Sequence, residues 1–367
     1  MRLRTSEPSR PGWQRVRHGR GFRYLDENGR PLPEADRERA RALVIPPAWQ
    51  DVWICPWPNG HLQAVGTDAA GRRQYLYHEE FRARQELAKH EHVREAAVAL
   101  PRLRRAVDRH LSSRGLCRLR VLACMARLLD LGLFRVGDDR YRRENDSYGL
   151  TTLRREHVRC DRGRVSFDYP GKSGRRLAVR VTDEAAAEVV RALLRRGGGG
   201  ERLFAYWEGR SWHDVDADEL NAYLHETSGV DLTAKDFRTW HATVLAAVAL
   251  ADPERTGRRS VKARHRAVSR AMSEVASRLG NTPAVCRASY VSPRVLERYE
   301  EGVTIAPALR GLGADCTPGS PAYRRRAERA VLDLLDEEQP DGGGDGAAGR
   351  PRPGPASGSG SGSESKG

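Results

Sequence analysis

The sequence predicts an α+β protein, with a small β-rich amino-terminal part followed by a mainly α-helical part that carries one β-hairpin. Three observations predict it. Turn punctuation dominates residues 13–80, helical periodicity sets in from about residue 81, and two strand-like runs around a Gly-bracketed turn interrupt the helical part.

In the first part, Glu27-Asn28-Gly29, Pro46-Pro47, Pro56-Trp57-Pro58-Asn59-Gly60 and Asp68-Ala69-Ala70-Gly71 separate brief runs such as Val52-Trp53-Ile54-Cys55 and Gln74-Tyr75-Leu76-Tyr77. Such spacing predicts short strands and turns. Helices are expected at 81–97, at 101–113 beginning with Pro101, and at 117–133, where Leu119, Val121, Leu122, Met125, Leu128 and Leu129 form an apolar face. The change of period places a domain boundary near 80–92. Runs at 164–169 and 176–181 flank Pro170-Gly171-Lys172-Ser173-Gly174 and predict the hairpin. Further helices are expected at 183–196, from about 216, and at 235–250, 263–279 and 292–301, with 197–200 as a flexible Gly connector. After 339 the chain is Gly, Ser and Pro, which cannot bury enough to order itself. The expected domains are therefore 1–85, 86–335 and a disordered acidic tail at 336–367.

Charge narrows the function classes. The 367 residues carry 64 Lys+Arg against 49 Asp+Glu, a formal net charge of +15, and all but five of the basic residues are Arg. The tail is net −3, so residues 1–335 carry +18. That excess favours a nucleic-acid partner. A GC-rich genome would explain Arg over Lys, but not bases over acids. A mean hydropathy of −0.67 argues against a membrane protein. The six cysteines show no CxxC pairing, and the first thirty residues hold no apolar stretch of signal-peptide length. The expected compartment is the reducing cytoplasm.

The chemistry is expected to need no cofactor and no metal. His78-Glu79-Glu80 and His90-Glu91-His92 lack the HExxH pattern, and the glycines at 197–200 lack the GK[ST] of a phosphate loop. A positive signal lies in LGNTPAVCRASY, residues 279–290. Tyr290 ends a polar turn shortly before a helix with Pro293 in its first turn. A phenol with a pKa of about 10 is a weak nucleophile at neutral pH and needs cations around the phosphate it attacks.

Residues 279–290 resemble the active-site segment of the type IB DNA topoisomerases, in the poxvirus-like branch that also occurs in bacteria. There the last residue is the nucleophilic tyrosine. The resemblance extends over roughly 20–301 with further blocks in the family's order. Val44-Ile45-Pro46-Pro47-Ala48-Trp49 and the segment from Gly66 to Tyr75 look like its DNA-clamping domain. Phe134-Arg135-Val136-Gly137, with Glu144-Asn145 and Tyr148-Gly149-Leu150-Thr151-Thr152-Leu153, is similar to the first catalytic-arginine segment. Gly171-Lys172 is similar to the catalytic-lysine turn, and Lys235-Asp236-Phe237-Arg238-Thr239 to the second arginine segment.

The resemblance implies a fold like that of the tyrosine recombinases and type IB topoisomerases. It implies relaxation of supercoils of either sign through a 3′-phosphotyrosyl intermediate, strand swivelling and religation, without ATP or metal. The catalytic set is then Tyr290, Arg135, Lys172, Arg238 and Asn281, and the DNA-binding set Gln74, Tyr75, Tyr77, Arg140 and Tyr141. The partner is double-stranded DNA, with no membrane, and the protein is expected to be a nucleoid-associated monomer. The residue types suit these roles. Arg135 and Arg238 offer planar forks to the non-bridging oxygens of a pentacoordinate phosphate. Lys172 can protonate the leaving 5′ oxygen where an Arg could not, which makes a Lys at the hairpin tip of an Arg-rich chain informative.

Two departures stand out. Poxviral and eukaryotic members have a histidine where this chain has Asn281, which can donate one amide hydrogen bond but carries no charge. Asp138-Asp139 replaces a base usual in the loop after the first arginine. Two rivals remain open: a tyrosine site-specific recombinase, whose His-x-x-Arg box is here Lys235-x-x-Arg238, and a non-catalytic basic DNA-binding protein.

Overall fold

The computed structural model describes residues 2–252, 260–310, 316 and 320–336. The amino-terminal part is a five-stranded antiparallel sheet in the order β2-β1-β3-β4-β5, formed by β1 (Trp13–His18), β2 (Gly21–Leu25), β3 (Gln50–Ile54), β4 (Leu62–Thr67) and β5 (Arg73–Tyr77). Trp13, Tyr24, Leu32, Ile45, Val52, Ile54 and Ala64 build its core. The buried Arg15 donates to the carbonyls of Ile45 (2.8 Å), Pro46 (2.9 Å) and Trp49 (2.8 Å). The Val44–Trp49 block is thus wound around one guanidinium.

One helix interrupts the region expected to hold only strands and turns. α1 (Glu34–Ala42) follows Pro33, with Glu34 and Asp36 in its first turn and Arg39 and Arg41 in its last. These charges complement the helix dipole. Only Ala40 is buried, so the apolar periodicity that would announce the helix is missing.

α2 (Glu79–Leu111) is a single helix of 33 residues where two were expected. Pro101 lies inside it. A proline there removes one backbone hydrogen bond, but Pro101 is on the solvent side, while Leu100, Leu103, Ala106 and Val107 stay buried on the other. The first buried residue of α2 is Val93, so its opening turns carry no apolar core.

The helical part continues with α3 (Arg118–Gly132) and α4 (Asp139–Asn145). The expected hairpin is β7 (Arg164–Pro170) and β8 (Arg176–Thr182), and β6 (Val158–Asp161) adds a third strand on the β7 side. Then come α5 (Glu184–Arg195), a second hairpin of β9 (Ala205–Glu208) and β10 (Ser211–Asp214), α6 (Ala217–Ser228) and α7 (Ala234–Leu250). α8 (Val261–Leu279), α9 (Pro283–Ser289), α10 (Pro293–Glu300), α11 (Ala306–Leu309) and α12 (Pro321–Asp336) complete the described chain. The Gly connector at 197–200 is pinned rather than loose. Arg155 donates to the carbonyls of Gly198 (2.5 Å) and Gly200 (2.7 Å), and Arg196 to that of Gly199 (3.0 Å). Of the expected tail, Asp336 is the last residue of α12; the rest lies outside the described residues.

Under the helices lies a buried ion cluster. Asp130 of α3 receives Arg104 of α2 on both oxygens (2.9 Å each) and Arg324 of α12 (2.5 Å). Arg104 also meets Glu328 of α12 (2.7 and 2.8 Å). Burial alone would raise the Asp130 pKa, but Arg324 and Arg104 outweigh it and hold the carboxyl well below the usual range. His241 of α7 stands 3.8 Å from Asp130, and burial pushes its pKa down to about 4.

Candidate active site

Arg135 is presented by the end of α3. Leu133 takes a left-handed conformation (φ 58°) that stops the helix, and Phe134 is buried edge-on against Phe167 of β7, with centroids 4.8 Å apart. The Arg135 carbonyl accepts from the Leu150 amide (2.8 Å), and that of Val136 from the Thr151 amide (2.7 Å). At Gly149 an added Cβ would lie 2.4 Å from the Gly137 nitrogen. The two blocks read separately in the sequence are therefore one motif, in which 149–151 fixes the backbone under Arg135.

Arg238 lies in the first turns of α7 and is only 4% exposed. It donates to the carbonyl of Leu279 (2.9 Å) and to that of Leu133. One guanidinium thus ties the end of α8 to the end of α3, while its Nε has no hydrogen-bond partner among the described residues. Asn281 accepts from Arg135 Nη2 on Oδ1 (2.6 Å), and its buried Nδ2 has no partner among the described residues. The free face of the amide is a donor. A buried unsatisfied donor costs free energy unless something completes it, and an anionic oxygen would.

Tyr290 caps the C-terminus of α9, its amide bonded to the Cys286 carbonyl (3.1 Å). Thr243 Oγ1 of α7 receives the Ser292 amide (3.1 Å), and its one proton lies between the carbonyls of Thr239 (3.0 Å) and Tyr290 (3.3 Å). The Arg238 Cζ stands 5.6 Å from the Tyr290 ring centroid. Burial pushes the phenol pKa up, yet Arg238, Arg135 and Asn281 together pull it below the ordinary tyrosine value. Four of the five expected catalytic residues are therefore brought together, with Tyr290 facing the two guanidiniums.

Lys172 is the fifth, and it stands apart. It is exposed in a single 3₁₀ turn, Lys172–Gly174, at the tip between β7 and β8, and makes no hydrogen bond or ion pair with a described residue. The strand leaving that turn does reach the site. At Gly280 (φ +63°) an added Cβ would lie 2.8 Å from Leu177 of β8, so the strand packs on the turn that carries Asn281.

Sequence reasoning missed Thr243, whose only signal is a hydroxyl on an otherwise apolar stretch of α7. It also missed Tyr169 of β7, whose pKa burial pushes up to about 12 against the pull of Arg238 and Arg135.

The expected DNA-binding residues fall in two places. On edge strand β5, Tyr75 and Tyr77 are exposed on one face and stack with centroids 6.2 Å apart; Tyr77 continues onto Phe81 of α2 at 5.3 Å. Gln74 alternates away from them and donates to Asp68 Oδ2 (2.9 Å). On α4, Tyr141 is exposed and Arg140 pairs with Glu144 (2.8 Å). The acids that depart from the family pattern have internal partners. Asp138 caps α4 through the amides of Arg140 (2.7 Å) and Tyr141 (3.1 Å), and Asp139 binds Arg202 (2.5 Å) and Arg142 (3.2 Å).

Among the described residues, no group of three or more His, Cys, Asp or Glu is placed to hold a metal ion, and no helix is long and apolar enough to cross a membrane.

Comparison with known proteins bears on the whole arrangement. Residues 78–306 match the model of the eukaryotic DNA topoisomerase I catalytic core, and residues 21–68 that of the bacterial DNA topoisomerase IB amino-terminal domain. β5, with Gln74, Tyr75 and Tyr77, lies between the two matched segments. The chain is 32% identical over 290 residues to DNA topoisomerase 1B of Acanthamoeba polyphaga mimivirus, covering 76% of this chain and 84% of the relative. It is also 32% identical over 127 residues to DNA topoisomerase 1 of Daucus carota, covering 34% of this chain and 15% of that protein. With a matched core that contains the Arg135, Arg238, Asn281 and Tyr290 cluster, and a matched amino-terminal module before it, the chain belongs to the type IB DNA topoisomerases.

Proposed function

We propose that Tyr290 is the nucleophile of this topoisomerase and that Arg135, Arg238 and Asn281 receive the phosphate it attacks. The observation that carries the reading is the Tyr290 phenol facing Arg238 beside the Arg135–Asn281 pair, with its pKa drawn below the ordinary value. In the reaction, the phenol gives its proton to water as its oxygen forms a bond to phosphorus and the 5′ oxygen leaves, giving a 3′-phosphotyrosine and a 5′-hydroxyl. Charge accumulating on the non-bridging oxygens meets the guanidiniums and the free Asn281 amide donor. Preorganised donors of this kind are each commonly worth about 10²–10³ in rate.

Lys172 supplies the proton to the 5′ oxygen. Its place at a hairpin tip, clear of the packed cluster, supports a donor that meets the leaving group once DNA lies in the site. The broken strand then swivels about its partner, and the 5′-hydroxyl attacks the phosphotyrosine in religation. The phosphotyrosine conserves the bond energy, so the reading requires neither ATP nor metal. The stacked Tyr75 and Tyr77, with Arg140 and Tyr141, contact the duplex, and the two parts of the chain close around it as a monomeric clamp associated with the nucleoid. Gln74, whose Nε2 is engaged with Asp68, offers its remaining amide N–H and Oε1 to the duplex.

The test is direct. Plasmid relaxation proceeds in EDTA without ATP, and an SDS-stable protein–DNA adduct forms and maps to Tyr290. Tyr290→Phe binds DNA but forms no adduct. An adduct persisting in that variant moves the nucleophile elsewhere; its absence from the wild type leaves a basic DNA-binding protein.

A further inference from the structure

Tyr290 hangs from a short helix whose last carbonyl is held from far away in the chain. Ser289 ends α9, and its C=O is one of the acceptors that a helix C-terminus leaves without an intrahelical partner. Lys89 Nζ, on α2, donates to that oxygen at 2.9 Å across 200 residues of sequence. The same ammonium binds Glu86 Oε2 one turn back on α2 (2.6 Å), and the Lys89 side chain is only 23% exposed. Two acceptors therefore fix the ammonium. The Ser289 carbonyl shares its peptide plane with the Tyr290 nitrogen, and two residues beyond Tyr290 the Ser292 amide donates to Thr243 Oγ1 of α7 at 3.1 Å. The nucleophile's backbone is thus gripped by α2 on one side and α7 on the other.

The part of α2 that makes this grip precedes the helix's apolar core. Its first buried residue is Val93, four positions beyond Lys89. Its first turn is attached to the amino-terminal sheet through Phe81, which stacks on Tyr77 of β5 and packs edge-on against His61 at 5.0 Å. A single helix therefore runs from the exposed aromatic edge of the amino-terminal module to the peptide that carries the phenol.

We infer that Lys89 is a positioning residue that sets the Tyr290 peptide from the connector helix α2, resting on the reading of Tyr290 as the nucleophile. Lys89 touches neither the phosphate nor the phenol. Its effect falls on cleavage, where the free phenol must be held in line, and much less on religation, where the phosphotyrosine is already anchored through the DNA. Small misplacements of a reacting group are costly in rate.

The experiment is single-turnover cleavage and religation on a suicide duplex with full-length Lys89→Met and Lys89→Arg. Adducts are mapped by peptide mass spectrometry, and circular dichroism melting is run in parallel. Lys89→Met is expected to lower the cleavage rate constant roughly tenfold, with religation changed less than twofold and DNA affinity retained. Lys89→Arg, which keeps a cationic donor, is expected to recover part of the loss. A 5′-bridging phosphorothiolate is expected to give no rescue, because no proton donor has been removed. Cleavage at the wild-type rate with the adduct on Tyr290 overturns the inference and leaves the nucleophile assignment standing. A loss of reaction amplitude at unchanged rate also overturns it, because it reports fewer folded molecules. An adduct on another tyrosine overturns both readings.

Discussion

The packed cluster and the hairpin tip solve opposite problems. Arg135, Arg238, Asn281 and Tyr290 are tied to one another and to the ends of α3, α8 and α9 before any DNA arrives. Lys172 has no hydrogen-bond or ion-pair partner among the described residues and sits in its own 3₁₀ turn. Groups that stabilise developing charge work best when they need no reorganisation. A proton donor must instead reach an oxygen that belongs to the substrate. The difference teaches that the proposed roles fall on two kinds of structure, a preset cluster for the anion receptor and an adjustable tip for the acid.

Breaking the preset half should cost most. Arg238→Ala is expected to slow cleavage by about 10³, with no rescue by a 5′-bridging phosphorothiolate. Arg238 opposes the upward push of burial on the Tyr290 phenol, so its loss should also move the pH–rate profile of cleavage to higher pH. An unshifted profile would detach the arginine from the phenol. Lys172→Ala is expected to lose about 10² in cleavage and to regain most of it on the phosphorothiolate substrate, since a thiolate leaves without protonation. Equal loss on both substrates would place Lys172 with the receptor instead.

A third prediction concerns what keeps the receptor preset. The Asp130 pKa is depressed in the folded protein, so its contribution to stability is complete above the unfolded value of about 4 and is lost as pH falls through the folded one. Asp130→Asn is expected to destabilise the fold by about 3 kcal/mol at pH 7, because it leaves the part-buried Arg104 and Arg324 to share Glu328 alone. Its melting temperature should fall less steeply in acid than that of the wild type, read by calorimetry between neutral pH and about pH 3. Parallel curves for the two proteins would remove Asp130 from the account. The smallest effect is expected on α4. Arg140→Ala should weaken DNA binding slightly and reduce the slope of log affinity against log salt by about one, with cleavage chemistry unchanged. An unchanged slope would leave Arg140 as a partner of Glu144 alone.

The parts legible in the sequence were those with local signatures. The hairpin announced itself by Gly171 and Gly174 around a rare lysine, and the catalytic set by blocks that each span a few residues. Three features had no such signature. α1 buries a single alanine, so no apolar period reveals it. Pro101 marks a helix start by its usual preference, yet in α2 it faces water, where the lost hydrogen bond is tolerated. The grip of Arg155 and Arg196 on the Gly connector joins residues from opposite sides of α5, and nothing in a four-glycine run distinguishes a pinned loop from a loose one. The same holds for Thr243, which reads as one more small residue in α7 until the Tyr290 carbonyl is placed beside it.

α12 lies beyond residue 306, where the match to the catalytic core stops, yet Arg324 and Glu328 close the charge balance around Asp130 and Arg104. Anyone trimming the chain for expression, or grafting the core onto another clamp, should treat 336 rather than 306 as the cut point. A shorter fragment would keep Arg135, Lys172, Arg238, Asn281 and Tyr290, yet would uncover Asp130 and Arg104, which α12 covers here.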